Sequence, residues 1–352
     1  MAMFGGVVKN FSPDDFPAAD ILDPASVPSL RWGIVGAGDI ADIFVNTLQR
    51  HTKQQVVAIA SKTPGKAEAM GQKYGISRTY NSYEEICAQD DIDVIYIATL
   101  PNTHLPDALI AINAGKHVLV EKPTAISKKD AQTLYQAARK AGVFAMEAMW
   151  SRYLPQASMM RRMLEEKTLG TIELIQADFG QDNRVVKRLW LPGASIVQDM
   201  GIYPIAFTEQ FLGLPIKITA TGKLHSPHSE AFASAVFEYA SGARAVITTS
   251  GHSHLPTRAS VSGTDGVLLV DSPFFTPSGL GLRQALFNGT GPNWRDESAV
   301  KGHEGLCYQA NYFASYVAQG LLESPLHTHE QTVAIIGIGE EIRRQIGVEL
   351  EA

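Results

Sequence analysis

Five short, β-rich apolar runs alternate with amphipathic segments in the first half of this chain. Continuous apolar runs of this length are typical of parallel strands that are buried on both faces. The segments between them carry helix-start signals, such as Ser127 with Asp130 three residues later, and Pro106 just before Asp107–Ala114. The alternation predicts βαβ units and a doubly wound α/β sheet of the Rossmann type. The five predicted strands are Trp32–Val35, Val56–Ala60, Val94–Ala98, His117–Val120 and Val143–Met146.

Length and the change of pattern along the chain predict two domains after an N-terminal arm. The chain has 352 residues, which exceeds the roughly 250–300 over which a single hydrophobic core usually grows. Residues 1–29 contain scattered prolines and no sustained period, so we predict an extended arm on the surface or on a partner subunit. Residues 30–149 form the predicted Rossmann domain, and residues 150–352 form a predicted α+β domain. Its predicted elements are a helix near Gln156–Glu166, antiparallel strands at Thr171–Phe179, Phe232–Tyr239, Ala243–Ser250 and Val267–Val270, and a closing helix near 332–346.

Composition narrows the class of partner. The chain is 45% hydrophobic and 19% charged, with a formal net charge of -6. This balance gives no electrostatic reason to expect nucleic acid or an anionic membrane, so we expect a small-molecule substrate. There is neither a basic, apolar signal at the N-terminus nor a run of about 18 apolar residues, and we expect a cytoplasmic protein. Cys87 and Cys307 lack any C-x-x-C spacing, which favours reduced, buried thiols.

A glycine motif of the form G-x-G-x-x-A follows the first predicted strand and opens a helix. Gly36 permits the tight turn, Gly38 lets the backbone approach a pyrophosphate, and Ala41 keeps helix and strand close. The first helical N–H groups, at Asp39 and Ile40, would face the anion. The motif therefore predicts a dinucleotide site. The alternative is a glycine turn in an α/β fold that binds no nucleotide.

The end of the second predicted strand bears on which dinucleotide binds. An NAD enzyme would carry an Asp or Glu there for the ribose hydroxyls, but the sequence reads Ser61, Lys62 and Thr63. Two hydroxyls and an ammonium favour a 2′-phosphate, so we predict NADP(H) over NAD, with Lys66 one helical turn further as added support. The alternative is that Lys62 is a solvated surface lysine.

The fourth predicted strand ends in Glu121, Lys122 and Pro123. Its lysine emerges at the carboxyl edge of the sheet, where ligands of open α/β folds bind. We therefore place Glu121 and Lys122 near the nicotinamide.

Asp199 and Tyr203 lie four residues apart, which places them on one face if the segment is helical. Removing hydride from a carbinol also requires loss of the hydroxyl proton. A tyrosine can take that proton if its pKa of about 10 is lowered by a cation, and Lys122 is the candidate cation. The alternative is that Asp199 caps a helix and Tyr203 packs in a core.

Other polar and aromatic residues follow predicted strands at the same edge. Glu147, Trp150 and Arg152 follow the fifth strand. Of these three, Trp150 and Arg152 are candidates for the pocket wall. His104 is more often structural than catalytic, and Trp150 is more often domain packing than a sugar platform. The histidine pairs His252/His254 and His327/His329 lack a third ligand nearby, so we expect no metal. The candidates after the third strand are Thr99, Pro101, Asn102 and His104.

Taken together, these motifs resemble the glucose–fructose oxidoreductase / inositol dehydrogenase family over residues from about 30 to the C-terminus. Two further segments are similar to its dimeric dihydrodiol dehydrogenase and NADP-dependent D-xylose dehydrogenase branch. The shared family motifs are G-x-G-x-x-A, Thr99–His104, Glu121-Lys122-Pro123 and Asp199-x-Gly201-x-Tyr203. The branch segments are Met146–Tyr153 and Gly305–Ala310, the latter followed by Glu323-Ser324-Pro325.

The resemblance implies a Rossmann domain followed by a large, open-faced, mostly antiparallel sheet that often forms a dimer interface. It places the family's lysine, aspartate and tyrosine on Lys122, Asp199 and Tyr203. Inositol dehydrogenases usually carry histidine at the tyrosine position, which argues against inositol. Lys62 stands where arginine is frequent, and Gly193-Ala194 stands where a glycine pair is common.

The resulting hypothesis is reversible hydride transfer between NADP(H) and a carbinol carbon of an aldose or trans-dihydrodiol. Tyr203 is the acid/base, Lys122 lowers its pKa, and Asp199 orients the substrate. Trp150, Arg152 and Phe179 are the expected pocket wall, and a homodimer or higher homo-oligomer is expected. Three alternatives stay open: a sugar oxidoreductase that retains its cofactor, a keto-sugar or imine reductase, and a non-catalytic dinucleotide sensor.

Overall fold

The computed structural model describes residues 8–191 and 193–349. These residues divide into two compact units. The Rossmann unit comprises residues 21–154 and 300–340. The sheet unit comprises the described residues of 1–20, 155–299 and 341–352.

The elements are numbered in chain order. The strands are β1 (Arg31–Val35), β2 (Gln55–Ala60), β3 (Thr79–Tyr80), β4 (Val94–Ile97), β5 (His117–Val120), β6 (Ala145–Glu147), β7 (Ile172–Gly180), β8 (Lys217–Ser226), β9 (Ser229–Glu238), β10 (Arg244–Ser250), β11 (Ala259–Gly263), β12 (Gly266–Val270), β13 (Gly279–Gln284) and β14 (Asn293–Arg295). The helices are α1 (Asp39–His51), α2 (Lys66–Tyr74), α3 (Tyr83–Cys87), α4 (His104–Asn113), α5 (Lys128–Ala141), α6 (Pro155–Glu165), α7 (Ile196–Asp199), α8 (Ile202–Leu212), α9 (Leu306–Ala318) and α10 (His329–Gln345). Short 3-10 helices include Pro101–Thr103, Trp150–Tyr153 and Gly302–Gly305.

The Rossmann unit is built on a parallel sheet with strand order β3-β2-β1-β4-β5-β6. The chain starts at β1 in the middle and winds outward in both directions, so the order reverses between β1 and β4. Open α/β sheets bind ligands outside the carboxyl ends of the strands at this point. The predicted α/β Rossmann sheet is confirmed. The two-residue strand β3 was not predicted, because so short a segment leaves no pattern of its own.

Local sequence explains why these elements form. Every residue of β4 is buried, as expected for a strand covered by helices on both faces. The Ser127 hydroxyl accepts a hydrogen bond from the Asp130 N–H (3.0 Å) and caps α5 as predicted. Phe44 of α1 stacks on Tyr96 of β4, with ring centroids 4.0 Å apart. This contact anchors the first helix to the sheet beside the switch point.

Residues 300–340 pack with the Rossmann unit, although they lie far along the chain. Phe313 of α9 contacts Trp32 and Phe144, with ring centroids 5.1 and 4.7 Å apart. The Tyr153 hydroxyl donates to the Ser324 hydroxyl at 2.8 Å. The domain boundary predicted at 149/150 does not follow this division, because the pattern of α9 shows that one face is apolar but not which core it meets.

The sheet unit contains the larger sheet, with strand order β14-β13-β12-β11-β7-β10-β9-β8. Most neighbours are antiparallel, as predicted, but β7 is parallel to β10. The prediction of Thr171–Phe179 and Ala243–Ser250 as antiparallel strands was therefore wrong for this pair. A parallel pair needs a long crossover, and here α7, α8, β8 and β9 provide it between the two strands.

One face of this sheet is covered and the other is open. Along β9, Ala233, Ala235 and Phe237 are buried, whereas Phe232 and Val236 point the other way and are each 39% exposed. Leu269 of β12 is also 39% exposed. The alternation along β9 is the period-2 pattern of a strand with one buried face.

Residues 8–20 of the N-terminal arm belong to the sheet unit, and residues 21–29 belong to the Rossmann unit. The Lys9 ammonium donates to the Thr168 carbonyl (2.8 Å), and the Asp20 N–H donates to the Ser158 hydroxyl (2.9 Å). The Phe11 ring covers Gly266, where a Cβ atom would lie 2.3 Å from the ring. Residues 8–20 of the predicted arm therefore run along the surface of the sheet unit. Its first seven residues lie outside the described part of the chain.

Candidate active site

The glycine turn after β1 has a geometry that only glycine adopts comfortably. Gly36 has a φ of +96°, and a Cβ atom there would lie 2.6 Å from the Ala98 carbonyl oxygen. The Gly36 N–H donates to the Ala60 carbonyl at 2.9 Å. The turn is thus held between the carboxyl ends of β2 and β4, which is the switch point of the sheet.

The N-terminus of α1 comes directly after this turn. Its first intrahelical hydrogen bond runs from the Asp42 N–H to the Gly38 carbonyl (3.0 Å). The N–H groups of Asp39, Ile40 and Ala41 precede that bond and have no acceptor in the helix. A Cβ atom on Gly38 would have no atom within 4 Å. This combination of open space and helix N–H groups fits the pyrophosphate of a dinucleotide.

The polar residues after β2 occupy the same edge. Ser61 is buried, and its hydroxyl accepts from the Thr63 N–H at 3.2 Å. The Lys62 ammonium lies 3.3 Å from the Asp107 carboxylate and 4.1 Å from the centre of the Tyr83 ring, while its side chain is 60% exposed. Lys66 is exposed and begins α2. Lys62 is therefore tethered as well as exposed.

An acidic side chain does lie at this edge of the sheet, but it belongs to α4 and not to the end of β2. Asp107 of α4 is buried, and its carboxylate accepts from the Thr99 hydroxyl (2.8 Å) as well as contacting Lys62. The Thr103 hydroxyl in turn lies 3.0 Å from that of Thr99. Sequence reasoning missed Asp107 because it looked for an acid only at the end of β2. Pro101 and Asn102 sit on the 3-10 helix that precedes α4.

His104 bridges two backbone segments from a buried position. Its Nδ1 lies 2.8 Å from the Pro123 carbonyl oxygen, and its Nε2 lies 3.2 Å from the Thr99 carbonyl oxygen. Burial lowers the pKa of His104 even though both carbonyls favour the protonated ring, so the imidazole is neutral near pH 7. Its position links the ends of β4 and β5 rather than offering the ring to solvent.

Glu121, directly before Lys122, points into the protein. Its carboxyl group accepts from the Tyr96 hydroxyl (2.5 Å) and from the Lys122 N–H (3.2 Å). Burial is the main cause that raises the pKa of Glu121 to about 7. Glu121 therefore holds the backbone of Lys122 from the buried side of the loop.

The two histidines near residue 328 are structural. His327 Nε2 lies 2.8 Å from the Glu147 carboxylate, and both side chains are fully buried. His329 stacks on Tyr135, with centroids 3.9 Å apart, and its Nε2 lies 2.8 Å from the Ala145 carbonyl. No local pattern in the sequence indicates these contacts, because the partners of each histidine on β6 are some 180 residues away.

The two predicted wall residues of the Rossmann unit are both buried. Trp150 stacks on His303, with centroids 5.4 Å apart, and Arg152 lies two residues further on the same 3-10 helix. Burial, and after it the charge of Lys122, lowers the pKa of His303. His303 is thus electrostatically coupled to Lys122, and sequence reasoning missed it.

Asp199 and Tyr203 belong to the sheet unit and lie on different helices. Asp199 ends α7, whose N-terminus is capped by the Ser195 hydroxyl, which accepts from the Gln198 N–H (3.0 Å). Tyr203 is the second residue of α8. Met200 and Gly201, which separate the two helices, have right-handed helical φ and ψ values, and a Cβ atom on Gly201 would lie 2.5 Å from the Val197 carbonyl oxygen. A shared face for Asp199 and Tyr203 stays a prediction.

Tyr203 is surrounded by aromatic rings. It stacks on Phe275 with centroids 4.3 Å apart and planes 19° from parallel, and Phe179 lies 5.9 Å away. Phe179 and Phe275 are themselves 4.6 Å apart. The predicted wall residue Phe179 therefore contacts the predicted acid/base within this unit. Phe275 was not predicted, since its loop carries no periodic pattern.

The sequence-predicted residues thus fall into two groups, one in each unit. Within residues 8–191 and 193–349, no group of three or more His, Cys, Asp or Glu side chains is arranged to hold a metal ion. Of the remaining histidine pair, His252 has its Nε2 3.0 Å from His225 Nδ1. Nor is any helix in that part of the chain long and apolar enough to cross a membrane.

Comparison with known proteins agrees with the glycine turn and the sheet order. Residues 30–149 match the model of an oxidoreductase family with an NAD-binding Rossmann fold, and residues 158–269 match a GFO/IDH/MocA C-terminal domain. Trans-1,2-dihydrobenzene-1,2-diol dehydrogenase from Mus musculus is 34% identical over 332 residues, covering 91% of this chain and 98% of that protein. The Homo sapiens protein of the same name is 31% identical over 328 residues, with coverages of 91% and 98%.

Solved structures share the whole architecture at lower identity. An aldose-aldose oxidoreductase from Caulobacter crescentus has a TM-score of 0.79 at 24% identity, covering 90% of this chain and 97% of that chain. A 3-ketoreductase from Actinomadura kijaniata, solved with NADP and TDP-benzene, has a TM-score of 0.79 at 22% identity, with coverages of 91% and 98%. The chain belongs to the GFO/IDH/MocA family of oxidoreductases, and it is an NAD(P)-dependent dehydrogenase.

Proposed function

We propose that this enzyme transfers hydride reversibly between NADP(H) and a carbinol carbon of a trans-dihydrodiol or an aldose. Residues 30–149 bind the dinucleotide, and residues from 150 onward bind the substrate. The observation that carries the proposal is the turn at Gly36 and Gly38, which leaves room for a pyrophosphate beside the helix N–H groups. When bound, the nicotinamide supplies the hydride acceptor or donor.

The proton is handled by residues of the chain. Tyr203 is the proposed general acid/base, because its hydroxyl can take the carbinol proton once a cation lowers its pKa from about 10. Lys122 is the proposed cation, and Asp199 orients the substrate hydroxyl. Lys122 is chosen because it follows β5 at the carboxyl edge of the parallel sheet, where ligands of open α/β folds bind.

The substrate preference we propose is a diol on a flat ring over an open polyol. Tyr203 stacks on Phe275, and Phe179 lies near both rings. Aromatic faces of this kind offer apolar contact and offset stacking to an unsaturated ring. The relatives named trans-1,2-dihydrobenzene-1,2-diol dehydrogenase support the same choice. Trp150 and Arg152 stay predictions as further wall residues.

The test of this function is a panel of trans-dihydrodiols, aldoses and polyols assayed with NADP and NAD in parallel, reading absorbance of the reduced nicotinamide. We expect turnover with a dihydrodiol or an aldose, and higher kcat/KM with NADP. Nucleotide that stays bound through purification would favour a sugar oxidoreductase with retained cofactor. Reduction of keto-sugars or imines alone would favour the reductase. Binding without turnover of any substrate would favour a dinucleotide sensor.

The choice of NADP depends on Lys62. Solved neighbours include proteins with NADP and a levoglucosan dehydrogenase with NADH, so the choice is argued from this chain. The tether to Asp107 holds the Lys62 ammonium at the end of β2, where a 2′-phosphate would lie. With Ser61 and Thr63 beside it, this group can donate to the phosphate oxygens.

Lys62→Ala should raise the KM for NADP by roughly 10- to 100-fold, the weight of a hydrogen bond to a charged group. The KM for NAD should change little, because NAD has no 2′-phosphate. Steady-state kinetics with both cofactors measure this, and Lys66→Ala is the matched control with a smaller expected effect. An equal rise in both KM values would show that Lys62 does not read the phosphate.

The exposed apolar side chains on the open face of the large sheet support the proposal of a homodimer or higher homo-oligomer. Phe232, Val236 and Leu269 are each 39% exposed on strands of that sheet. Light scattering of the purified chain measures the molar mass, and the mass of a single chain would reject the proposal. A cytoplasmic location also stays a prediction, which fractionation of the source cells would test.

A further inference from the structure

The loop that carries Lys122 is held by buried ionisable side chains. We call residues 122–124 the lysine loop. The Lys122 N–H donates to Glu121 (3.2 Å), and the Pro123 carbonyl lies 2.8 Å from His104 Nδ1. The Thr124 N–H donates to the Glu147 carboxylate at 2.9 Å. Each residue of the lysine loop thus has a backbone group bonded to an acid or an imidazole.

Glu147 links the lysine loop to His327, a residue far along the chain. One carboxylate oxygen accepts from Thr124, and the other lies 2.8 Å from His327 Nε2. The Glu147 and His327 side chains are both 0% exposed. Burying a carboxylate costs several kcal/mol unless its oxygens are paired, so both contacts are needed. His327 therefore fixes Glu147, and Glu147 fixes the lysine loop.

We propose that the Glu147–His327 pair is a positioning device for Lys122, setting both the place of its loop and the charge behind it. The inference rests on the proposed role of Lys122 in catalysis. Neither Glu147 nor His327 is assigned contact with substrate. Both act through the lysine loop.

The charge part of the inference concerns Glu121. Burial is the largest cause of its raised pKa, and the negative charge of Glu147 adds to it. The Tyr96 hydroxyl and Lys122 act in the opposite direction. Tyr96 faces Glu121 from β4, Glu147 faces it from β6, and Lys122 faces it from the same loop. Because its pKa is about 7, the charge behind Lys122 changes near neutral pH.

Glu147 has its own set of titratable neighbours. Besides Glu121 and His327, it faces His104 of α4 and Tyr135 of α5, and its charge raises the pKa of each of these two groups. Removing the charge at 147 therefore changes one electrostatic centre that several buried groups share. The predicted sign for Glu121 is a lower pKa, because a like charge is lost.

Glu147→Gln tests this charge. The amide oxygen can still accept from the Thr124 N–H, so the backbone bond survives while the negative charge does not. We expect turnover to fall roughly 10-fold, because a neutral amide holds His327 less strongly than a carboxylate and so fixes the lysine loop less firmly. The KM for cofactor should be unchanged. If the charge of Glu121 affects turnover, kcat should change with pH around the Glu121 pKa of about 7. In Glu147→Gln this change in kcat should occur at lower pH.

A second readout needs no bound cofactor. Infrared titration of the protonated-carboxyl band, assigned with Glu121→Gln, should have a midpoint near pH 7 in the native protein and a lower midpoint in Glu147→Gln. Glu147→Asp separates place from charge: it keeps the charge but is too short for both contacts. Its turnover should fall with the infrared midpoint unchanged. If Glu147→Gln does not fold, Glu147→Asp still decides the positional part.

Glu323→Gln is the matched control, since Glu323 is also a carboxylate beside a histidine, His329 (3.6 Å), but is 41% exposed. It should change neither turnover nor midpoint. Native turnover and an unchanged midpoint in Glu147→Gln would overturn the inference. Lys122→Met distinguishes failure of this inference from failure of the proposed function. Native turnover in Lys122→Met would reject the catalytic role of the lysine itself.

Discussion

Replacing Tyr203 with phenylalanine should lower turnover by roughly 10²- to 10⁴-fold, the usual weight of acid–base catalysis. The substitution removes one hydroxyl and keeps the ring. Stacking on Phe275 and the approach to Phe179 depend on the ring, so the sheet unit should keep its packing. Dinucleotide affinity should stay at the native value, because the glycine turn belongs to the other unit.

The measurements are kcat by nicotinamide absorbance and dinucleotide Kd by calorimetry. Tyr239→Phe is the matched control: it makes the same chemical change at a buried tyrosine just after β9 and should leave kcat within a factor of about two of native. If Tyr203→Phe turns over at the native rate, Tyr203 is not the acid/base, and the proton must pass through another group.

Alanine at Gly36 and alanine at Gly38 should fail in different ways. Gly36→Ala forces a side chain into a φ of +96° and places its Cβ 2.6 Å from the Ala98 carbonyl oxygen. Backbone strain alone costs about 1–3 kcal/mol, and the overlap with a backbone atom adds to it. We expect a clearly lowered urea midpoint and loss of dinucleotide binding together.

Gly38→Ala should fold normally, because its φ is -98° and no atom lies within 4 Å of the new methyl group. That methyl group takes up the space in which a pyrophosphate would approach the backbone. Dinucleotide affinity should fall roughly 10- to 100-fold, or about 1.4–2.8 kcal/mol, at native stability. Native affinity in Gly38→Ala would show that the dinucleotide does not bind at this turn.

The parts of the fold that depend on local pattern could be predicted from the sequence. The strands β1, β2, β4 and β5 have continuous apolar runs, and the glycine motif indicates the turn and the helix after β1. Pairing partners have no such local signal: β7 lies antiparallel to β11 but parallel to β10, and nothing in Ile172–Gly180 distinguishes the two neighbours. Similarly, the apolar face of α9 does not reveal that Phe313 packs on Trp32.

The same distinction applies to the candidate site. Lys62 and Lys122 could be located because each ends a strand whose edge is known in advance. Four other residues could not be located, because each is identified only by its contact with a partner that is distant in sequence or lies on another element. They are Asp107, His303, His327 and Phe275. Glu147 was noted only for its place after a strand. Its role comes from the contact with His327, which no spacing rule contains.

Because residues 300–340 belong to the Rossmann unit, the two units of this enzyme are not two consecutive segments of the chain. The chain changes unit near residues 20, 154, 299 and 340, and the single helix α10 supplies residues to both. A gene fragment ending at residue 154 would encode every strand of the parallel sheet yet leave Trp32, Phe144 and Tyr153 without Phe313 and Ser324. The cofactor half of this protein is therefore not a segment that can be cut out of the gene in one piece, because part of its core is encoded after most of the substrate half.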